Sequence, residues 1–298
     1  MTTLRIATRR SALALAQAEE IARLLSASAF RSQIVPMSTS GDEGATSAES
    51  PSGMKGLWVD RIVVALRTGE VDIAVHSAKD LPAEDEEGIV IAAVPKRADP
   101  LDVLIGREEK LQPGMVVGTS SVRRRAQLLA GFPGMGVTEI RGNVDTRLRK
   151  LAEGEVDGLV LAAAGLARLG VDPPHARRLR VEEMVPAPGQ GCLAVQVRED
   201  DRTSRAVVSV LDHLPSRRAL EAERSLVQLL GGGCHLPLGA IAATKGDRIR
   251  MVGLVATADG AKVIRTAAES TFPSVAASTL AQRLRADGAD RILAELQG

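Results

Sequence analysis

Residues 66–75 read LRTGEVDIAV and residues 151–160 read LAEGEVDGLV, so the two segments are identical at six of ten positions. In each copy a helical pattern stops at a glycine and is followed by an apolar strand and then by a polar or glycine-bearing loop. A single short match is weak by itself. Because the same helix–strand order occurs twice, the sequence predicts two similarly built α/β domains.

Three strand–loop–helix joints carry arginines beside turn residues. Apolar strands predicted at residues 116–117, 137–140 and 159–161 each run into a loop and a helix. In open α/β sheets, such loops lie at the carboxyl ends of the strands, where ligands bind and where helix N-termini favour anions. Arginine suits such a site because it stays charged and offers a planar fork of donors to a carboxylate or phosphate. The joints contain Thr119, Ser121, Arg123, Arg124, Arg141, Asn143, Arg147 and Arg168.

These arginines predict a small ligand with several negative charges. We favour this interpretation for Arg123, Arg124, Arg141 and Arg147. The alternative is a set of exposed helical arginines paired with acidic residues, which fits Arg125 and Arg149 well.

The bulk composition argues against several functional classes. The 298 residues include 38 basic and 37 acidic side chains, and only 1% are aromatic. A protein that binds single-stranded nucleic acid usually needs aromatic platforms and a broad basic field. No apolar run is long enough to span a membrane, and residues 1–15 lack a signal-peptide pattern. The two cysteines make no disulfide framework, which favours a cytoplasmic protein. From the composition and the absence of a long apolar run, we expect no nucleic-acid or membrane partners.

Asp80 is a candidate catalytic carboxylate. It follows the predicted strand at residues 72–75, together with His76, Ser77 and Lys79. A carboxylate at a strand end could transfer protons or stabilise a developing cation. The alternatives are a turn or helix-capping Asp next to Pro82, a solvated surface Lys79 and a buried His76 whose hydrogen bonds are satisfied.

Cys234 is a candidate nucleophile because it follows three glycines. Glycines let the backbone turn sharply and leave space beside a thiol. The alternative is a small buried cysteine at a tight turn. His235 is adjacent, but no further Cys or His cluster completes a metal site, so no metal is expected. Cys192, within an apolar run, is expected in the core.

Two further regions complete the predicted organisation. Residues 38–56 lack periodicity and predict a long mobile loop of the kind that often forms a lid. From about residue 203 the pattern changes to a smaller α+β domain. Its predicted helices cover 203–211, 215–230 and 274–287, and its predicted strands cover 236–242, 249–255 and 262–268.

Eight segments, in order and spanning nearly the whole chain, resemble the porphobilinogen deaminase family, whose members are also called hydroxymethylbilane synthases. They read LRIATRRSALALAQ, KGLW, GEVDIAVHSAKDLP, VGTSSVRRRAQL, IRGNVDTRLRKL, LAAAGLARLG, PAPGQGC and GGGCHLPLGA. Each is weak alone, but eight in family order are highly specific.

The resemblance implies a transferase that joins four porphobilinogen units head to tail, releases ammonia at each step and finally uses water to give hydroxymethylbilane. It implies a dipyrromethane cofactor, one per chain, held by Cys234 through a thioether. It also implies that Asp80 protonates the departing amine and then stabilises positive pyrrole and azafulvene species. The implied cofactor-binding residues are Lys79, Asp80, Thr119, Ser121, Arg123, Arg124 and Arg141. The implied substrate-binding residues are Arg9, Ser11, Arg141, Arg147 and Arg168, and the flap or pocket residues are Lys55, Trp58, Ser77, Asn143 and Gln190.

The resemblance further implies two type II periplasmic-binding-protein-like domains around a cleft and a smaller C-terminal α+β domain, in a chain that is generally monomeric. The expected boundaries are residues 1–97 with 190–208, 98–189 and 209–298, and residues 42–56 would form a mobile flap. Trp58 stands where the family usually has Phe. A two-domain anion-binding receptor or sensor is the alternative function, although it would not need a Gly-Gly-Gly-Cys site.

Overall fold

The computed structural model describes residues 3–38, 60–109, 112–231 and 236–295. The chain divides into two compact units, Met1–Ala98 with Cys192–Arg218, and Asp99–Gly191 with Ala219–Gly298. The predicted 38–56 loop falls almost entirely outside the described residues. The finer division into three domains stays a prediction.

Thirteen strands lie within these described ranges. In chain order they are β1 Leu4–Arg9, β2 Ser32–Met37, β3 Ile73–Ser77, β4 Ile89–Ala93, β5 Asp102–Gly106, β6 Val116–Gly118, β7 Gly136–Thr138, β8 Gly158–Ala162, β9 Ala176–Arg178, β10 Leu193–Arg198, β11 Leu238–Lys245, β12 Arg248–Ala256 and β13 Val263–Ser270.

Nine α-helices lie in the same ranges. They are α1 Ala12–Ala27, α2 Asp60–Arg67, α3 Val122–Gly131, α4 Val144–Ala152, α5 Ala163–Arg168, α6 Arg202–Val208, α7 Leu214–Leu229, α8 Pro273–Ala286 and α9 Ala289–Glu295. Two 3₁₀ turns cover Ala78–Asp80 and Ser209–Leu211. Helix α9 was not predicted from the sequence.

The two five-stranded sheets have the same topology. The first has the order β2-β1-β3-β10-β4 and the second the order β7-β6-β8-β5-β9. In each, the first three strands are parallel, and the fourth runs antiparallel to both of its neighbours. The repeated segments lead from α2 into β3 and from α4 into β8, which occupy the same central position. The prediction of two similarly built α/β sheets is therefore confirmed.

The central strands explain why these segments form sheets. In both β3 and β8, four of five residues are buried, which is expected of a strand covered on both faces. Cys192, just before β10, is fully buried, as predicted.

The C-terminal residues build a separate antiparallel sheet, β11-β12-β13. Its core includes fully buried Leu226, Leu280 and Leu284, each stabilising the fold by about 1.5–3 kcal/mol through removal from water. Gly253 of β12 faces these leucines, and an added Cβ there would lie 3.0 Å from Leu280. This smaller α+β region confirms the predicted change of architecture.

Candidate functional site

In the first unit, polar residues gather at the carboxyl ends of β1 and β3. The two strands are parallel neighbours, with Ala7 opposite Ala74. β1 ends at Arg9, and Ser11 then caps α1 by accepting a hydrogen bond from the Ala14 amide at 3.3 Å. The Ser11 hydroxyl thus has a structural partner in addition to its predicted role in binding substrate.

Asp80 ends the 3₁₀ turn that follows β3. The Ala78 amide donates to the Cys192 carbonyl at 3.0 Å, which ties the turn to the residue before β10. Lys79 and Asp80 are both half-buried at this edge. Within the described part of the chain, no hydrogen bond or ion pair engages the Asp80 carboxylate, so nothing there supports the alternative of a capping Asp. Ser77 likewise makes no side-chain cap bond to the turn.

His76 lies behind this edge and is only 5% exposed. Its Nε2 has no hydrogen-bond partner among the described residues. Burial, together with the positive charge of Arg9, lowers the pKa of His76 to about 4. The imidazole is therefore neutral at physiological pH. The predicted burial of His76 is confirmed, but the prediction that its hydrogen bonds are satisfied is wrong for Nε2 among the described residues.

In the second unit, Thr119 and Ser121 form the turn between β6 and α3. The Thr119 hydroxyl accepts from the Ser121 amide at 3.1 Å, and the Ser121 hydroxyl accepts from the Arg124 amide at 3.3 Å. The Thr119 amide donates to Thr138 of the neighbouring strand at 2.9 Å. This turn fixes the first residues of α3 at the carboxyl edge of the sheet.

Arg123 and Arg124 are buried, at 5% and 6% exposure, and both bind a carboxylate that the sequence did not identify. Arg123 Nη1 donates to Asp102 Oδ2 at 2.8 Å and to the Val185 carbonyl at 2.6 Å. Arg124 Nε and Nη2 donate to Asp102 Oδ1 at 3.1 and 2.7 Å. The exposed-arginine alternative is therefore wrong for this pair. The available signal was an Asp that opens a buried apolar strand, where a charge needs a partner.

Gln190 completes the surroundings of Asp102. Its Nε2 donates to Asp102 Oδ1 at 3.0 Å and to the Pro100 carbonyl at 2.7 Å. Burial alone would raise the pKa of the Asp102 carboxyl, but Arg123 and Arg124 hold it well below its usual range. Asp102 is therefore an anion at physiological pH.

The cluster keeps an excess of positive charge, since one carboxylate faces two guanidinium groups. Burial and the nearby Arg124 also lower the pKa of Arg147. Arg147 Nε donates to the Gly142 carbonyl at 2.8 Å, and its Nη2 donates to Ser120 Oγ at 3.2 Å. An anion placed beside these groups would relieve their mutual repulsion.

The other predicted residues of this edge differ in their surroundings. Arg141 is 83% exposed in its side chain and pairs with Glu139 at 2.7 Å, which is the geometry of the exposed-arginine alternative. Arg168 Nη2 donates to the Gly191 carbonyl at 3.2 Å. Asn143 stands at the N-cap of α4 without a side-chain cap bond. Arg149 forms an exposed pair with Glu153, as expected.

Comparison with known proteins decides the family. Residues 4–206 match the family model described as "Porphobilinogen deaminase, dipyromethane cofactor binding domain", and residues 218–287 match "Porphobilinogen deaminase, C-terminal domain". The chain belongs to the porphobilinogen deaminase family.

Curated relatives agree over nearly the full length. Porphobilinogen deaminase of Brevibacillus brevis is 41% identical over 299 residues, covering 98% of this chain and 97% of the relative. That of Thermus thermophilus is 43% identical over 301 residues, covering 98% of each. A periplasmic substrate-binding protein of an ABC transporter from Coxiella burnetii shares 16% identity with this chain. The similarity covers 72% of this chain and 93% of that protein, with a TM-score of 0.43.

Three residues implied by the porphobilinogen deaminase resemblance, Lys55, Trp58 and Cys234, lie outside the described residues, as does the predicted 42–56 flap. Across the described ranges, no group of His, Cys, Asp or Glu could hold a metal ion. None of the helices in the same ranges combines the length and the hydrophobicity that a membrane span requires.

Proposed function

We propose that this chain catalyses the porphobilinogen deaminase reaction in tetrapyrrole biosynthesis. Four porphobilinogen molecules join head to tail, four molecules of ammonia leave, and one water completes hydroxymethylbilane. Family membership along both matched regions supports this activity. No observation favours the anion-binding receptor.

The excess positive charge around Asp102 is the structural observation that carries the proposal. Each pyrrole ring bears an acetate and a propionate, so a dipyrromethane brings four negative charges and each added unit brings two more. Arg123 and Arg124 share one carboxylate, and Arg147 lies close enough for Arg124 to lower its pKa. These cations match a polycarboxylate better than a neutral ligand.

The residues therefore fit a dipyrromethane cofactor, which supplies the pyrrole carbon to which the first substrate is joined. We assign its covalent attachment to the Cys234 thiol. Arg123 and Arg124, prearranged by Asp102, would bind its carboxylates with help from Thr119, Ser121, Arg141 and Lys79. Because these arginines are already ordered before binding, little side-chain entropy is lost when the anion arrives.

Asp80 is assigned proton transfer. Its carboxylic acid would give a proton to the substrate's amino group, which departs as ammonia. The resulting carboxylate would then face the positive charge left on the substrate carbon. A half-buried carboxylate at a strand end without a partner among the described residues suits both tasks, and neutral His76 behind it adds no competing charge.

The remaining substrate contacts are proposed from the family resemblance. Arg9, Ser11 and Ser77 at the edge of the first unit, and Arg141, Asn143, Arg147, Arg168 and Gln190 in the second, are proposed to bind or enclose the growing chain, with Lys55 and Trp58 in the flap. We further propose a cytoplasmic monomer of three domains, without nucleic-acid or membrane partners.

Intact mass under denaturing conditions tests this function, with Cys234→Ser measured beside the wild type. The expected excess equals two porphobilinogen units less two ammonia molecules, and it should be absent from the variant. If the wild type carries no excess and gains none after incubation with porphobilinogen or hydroxymethylbilane, the receptor becomes the better explanation.

A further inference from the structure

Glu223 of helix α7 is fully buried, with 0% exposure. Acidic side chains are almost never fully buried unless their oxygens have partners. Here Oε2 accepts from the Gly189 amide and Oε1 accepts from the Ala242 amide, each at 2.6 Å. The carboxylate thus joins three separate segments of the second unit.

Two of these segments flank the cysteine in the sequence. Helix α7 precedes Cys234, and strand β11, which contains Ala242, follows it. Glu223 therefore fixes the two elements from which the chain enters and leaves the cysteine-containing segment.

The third segment, residues 185–190, leads to the arginines. Gly189 precedes Gln190, whose side chain donates to Asp102 at 3.0 Å, and Asp102 holds both Arg123 and Arg124. The Val185 carbonyl also accepts directly from Arg123 at 2.6 Å. One buried hydrogen-bonded path thus runs from Glu223 to the arginine cluster.

Close backbone packing holds strand β11 firmly against residues 185–190. The Ala240 amide of β11 donates to the Pro186 carbonyl at 2.9 Å. A Cβ added at Gly239 would lie 2.9 Å from the Val185 carbonyl oxygen, so only glycine permits this approach. Residues 185–190 and β11 therefore have little freedom to shift against one another.

From these contacts we propose that Glu223 is a positioning residue: it holds the segments on either side of Cys234 in register with the Arg123–Arg124 cluster. The proposal rests on the function proposed above, in which a cofactor attached at Cys234 must also reach those arginines. Glu223 would contribute no atom to the chemistry. Its effect would be on how readily the cofactor is taken up.

Glutamate suits this role because each oxygen accepts from a different N–H group. Gln has one carbonyl oxygen and one NH₂ group, so Glu223→Gln must turn a donor toward a donor and leave one buried amide unsatisfied. Glu223→Asp keeps both acceptors, but it shortens the side chain by one CH₂ and cannot reach both amides without movement.

Cofactor uptake by the full-length apoprotein tests the proposal. Wild type, Glu223→Gln and Leu284→Ala would be made in cells that lack porphobilinogen, incubated with porphobilinogen and followed by intact mass, with rates divided by the folded fraction. Leu284 is a matched control because it is fully buried in the core of the C-terminal sheet.

We expect Glu223→Gln to load roughly tenfold more slowly or worse, because the segment whose amide loses its acceptor is no longer held in register with the Arg123–Arg124 cluster. A tenfold change corresponds to about 1.4 kcal/mol. Leu284→Ala should lower the melting temperature and load within about twofold of wild type. A Glu223→Gln protein that loads at the wild-type rate would overturn the proposal.

Two other outcomes are a Glu223→Gln variant that does not fold and a wild-type protein that takes up no cofactor. If Glu223→Gln does not fold, Glu223→Asp replaces it: slower loading supports the positioning role, and the wild-type rate refutes it. If the wild type itself never gains cofactor mass, the proposed function fails, which is a different result from wild-type-like loading of the variants.

Discussion

Replacing Asp102 by Asn removes the one carboxylate that two buried guanidinium groups share. Asn has nearly the same shape, so the change isolates charge and hydrogen-bonding capacity from volume. One amide oxygen would remain to accept hydrogen bonds, and the new NH₂ group would face the N–H groups of Arg123 or Arg124. Two positive charges would then be buried without a counter-ion.

The expected loss of stability is large for a single substitution. Asp102 is 0% exposed and accepts hydrogen bonds from three side chains, those of Arg123, Arg124 and Gln190. Removing one partner of a buried ion pair costs about 3–5 kcal/mol because the other charge stays desolvated. For a unit of this size, that corresponds to a fall in melting temperature of about 6–20 °C.

Urea unfolding followed by circular dichroism measures the effect, and its pH dependence gives a second check. The folded-state pKa of Asp102 is depressed, so its contribution is complete above the ordinary Asp pKa of about 3.9 and is lost as pH falls below that value. The difference between wild type and Asp102→Asn should therefore be constant from pH 7 to about 5 and should shrink below about pH 4.

Glu269→Gln serves as the control, since it breaks an Arg248–Glu269 pair whose side chains are 68% and 43% exposed. Such a surface pair contributes little to stability because solvent screens both charges. If Asp102→Asn costs no more than this control, or if its cost grows as pH falls, the counter-ion argument is refuted.

Four other changes have defined outcomes. Asp80→Asn should abolish turnover while the covalent cofactor stays at full mass, and normal activity in this variant would remove its assigned role. Arg141→Ala should change stability by less than about 0.5 kcal/mol, because its ion pair is exposed, and should lower kcat/KM roughly tenfold or more, since a hydrogen bond to a charged group contributes about 1.5–3 kcal/mol; unchanged turnover would contradict its ligand contact. Gly260→Ala should destabilise by about 1–3 kcal/mol more than Gly246→Ala in urea unfolding: both glycines have positive φ, but only at Gly260 would the new Cβ lie 2.4 Å from a backbone carbonyl oxygen of α3. His76 should stay neutral in an NMR titration down to about pH 5, because burial and a neighbouring arginine lower its pKa to about 4; since the unfolded residue takes up its proton near pH 6.5, stability should fall as pH drops from 6.5 toward 4, and His76→Gln should remove that component.

Much of the fold was predictable because its signals are local. Strand and helix periodicity, the GEVD repeat and the polar turns depend on residues that are close in sequence, and the two matching sheets confirm them. The segments at residues 118–125 and 72–82 also indicated where candidate functional residues lie, because polar groups at strand ends meet at one edge of a parallel sheet.

The partners of the buried charged side chains were not predictable in the same way, because they are distant in the sequence. Asp102 and Arg124 are 22 residues apart, and Glu223 and Gly189 are 34 residues apart. The Asp102 pairing arises because β5 is inserted antiparallel beside β8, which brings its first residue under the start of α3. By itself, the sequence determined the family, the repeated α/β units and the positions of the polar edges. Only the tertiary structure decided which arginines are buried and which carboxylate pairs with them. It also decided which glutamate connects them to the segments on either side of the cysteine. The reason is that desolvation and ion pairing depend on neighbours that no local sequence pattern specifies.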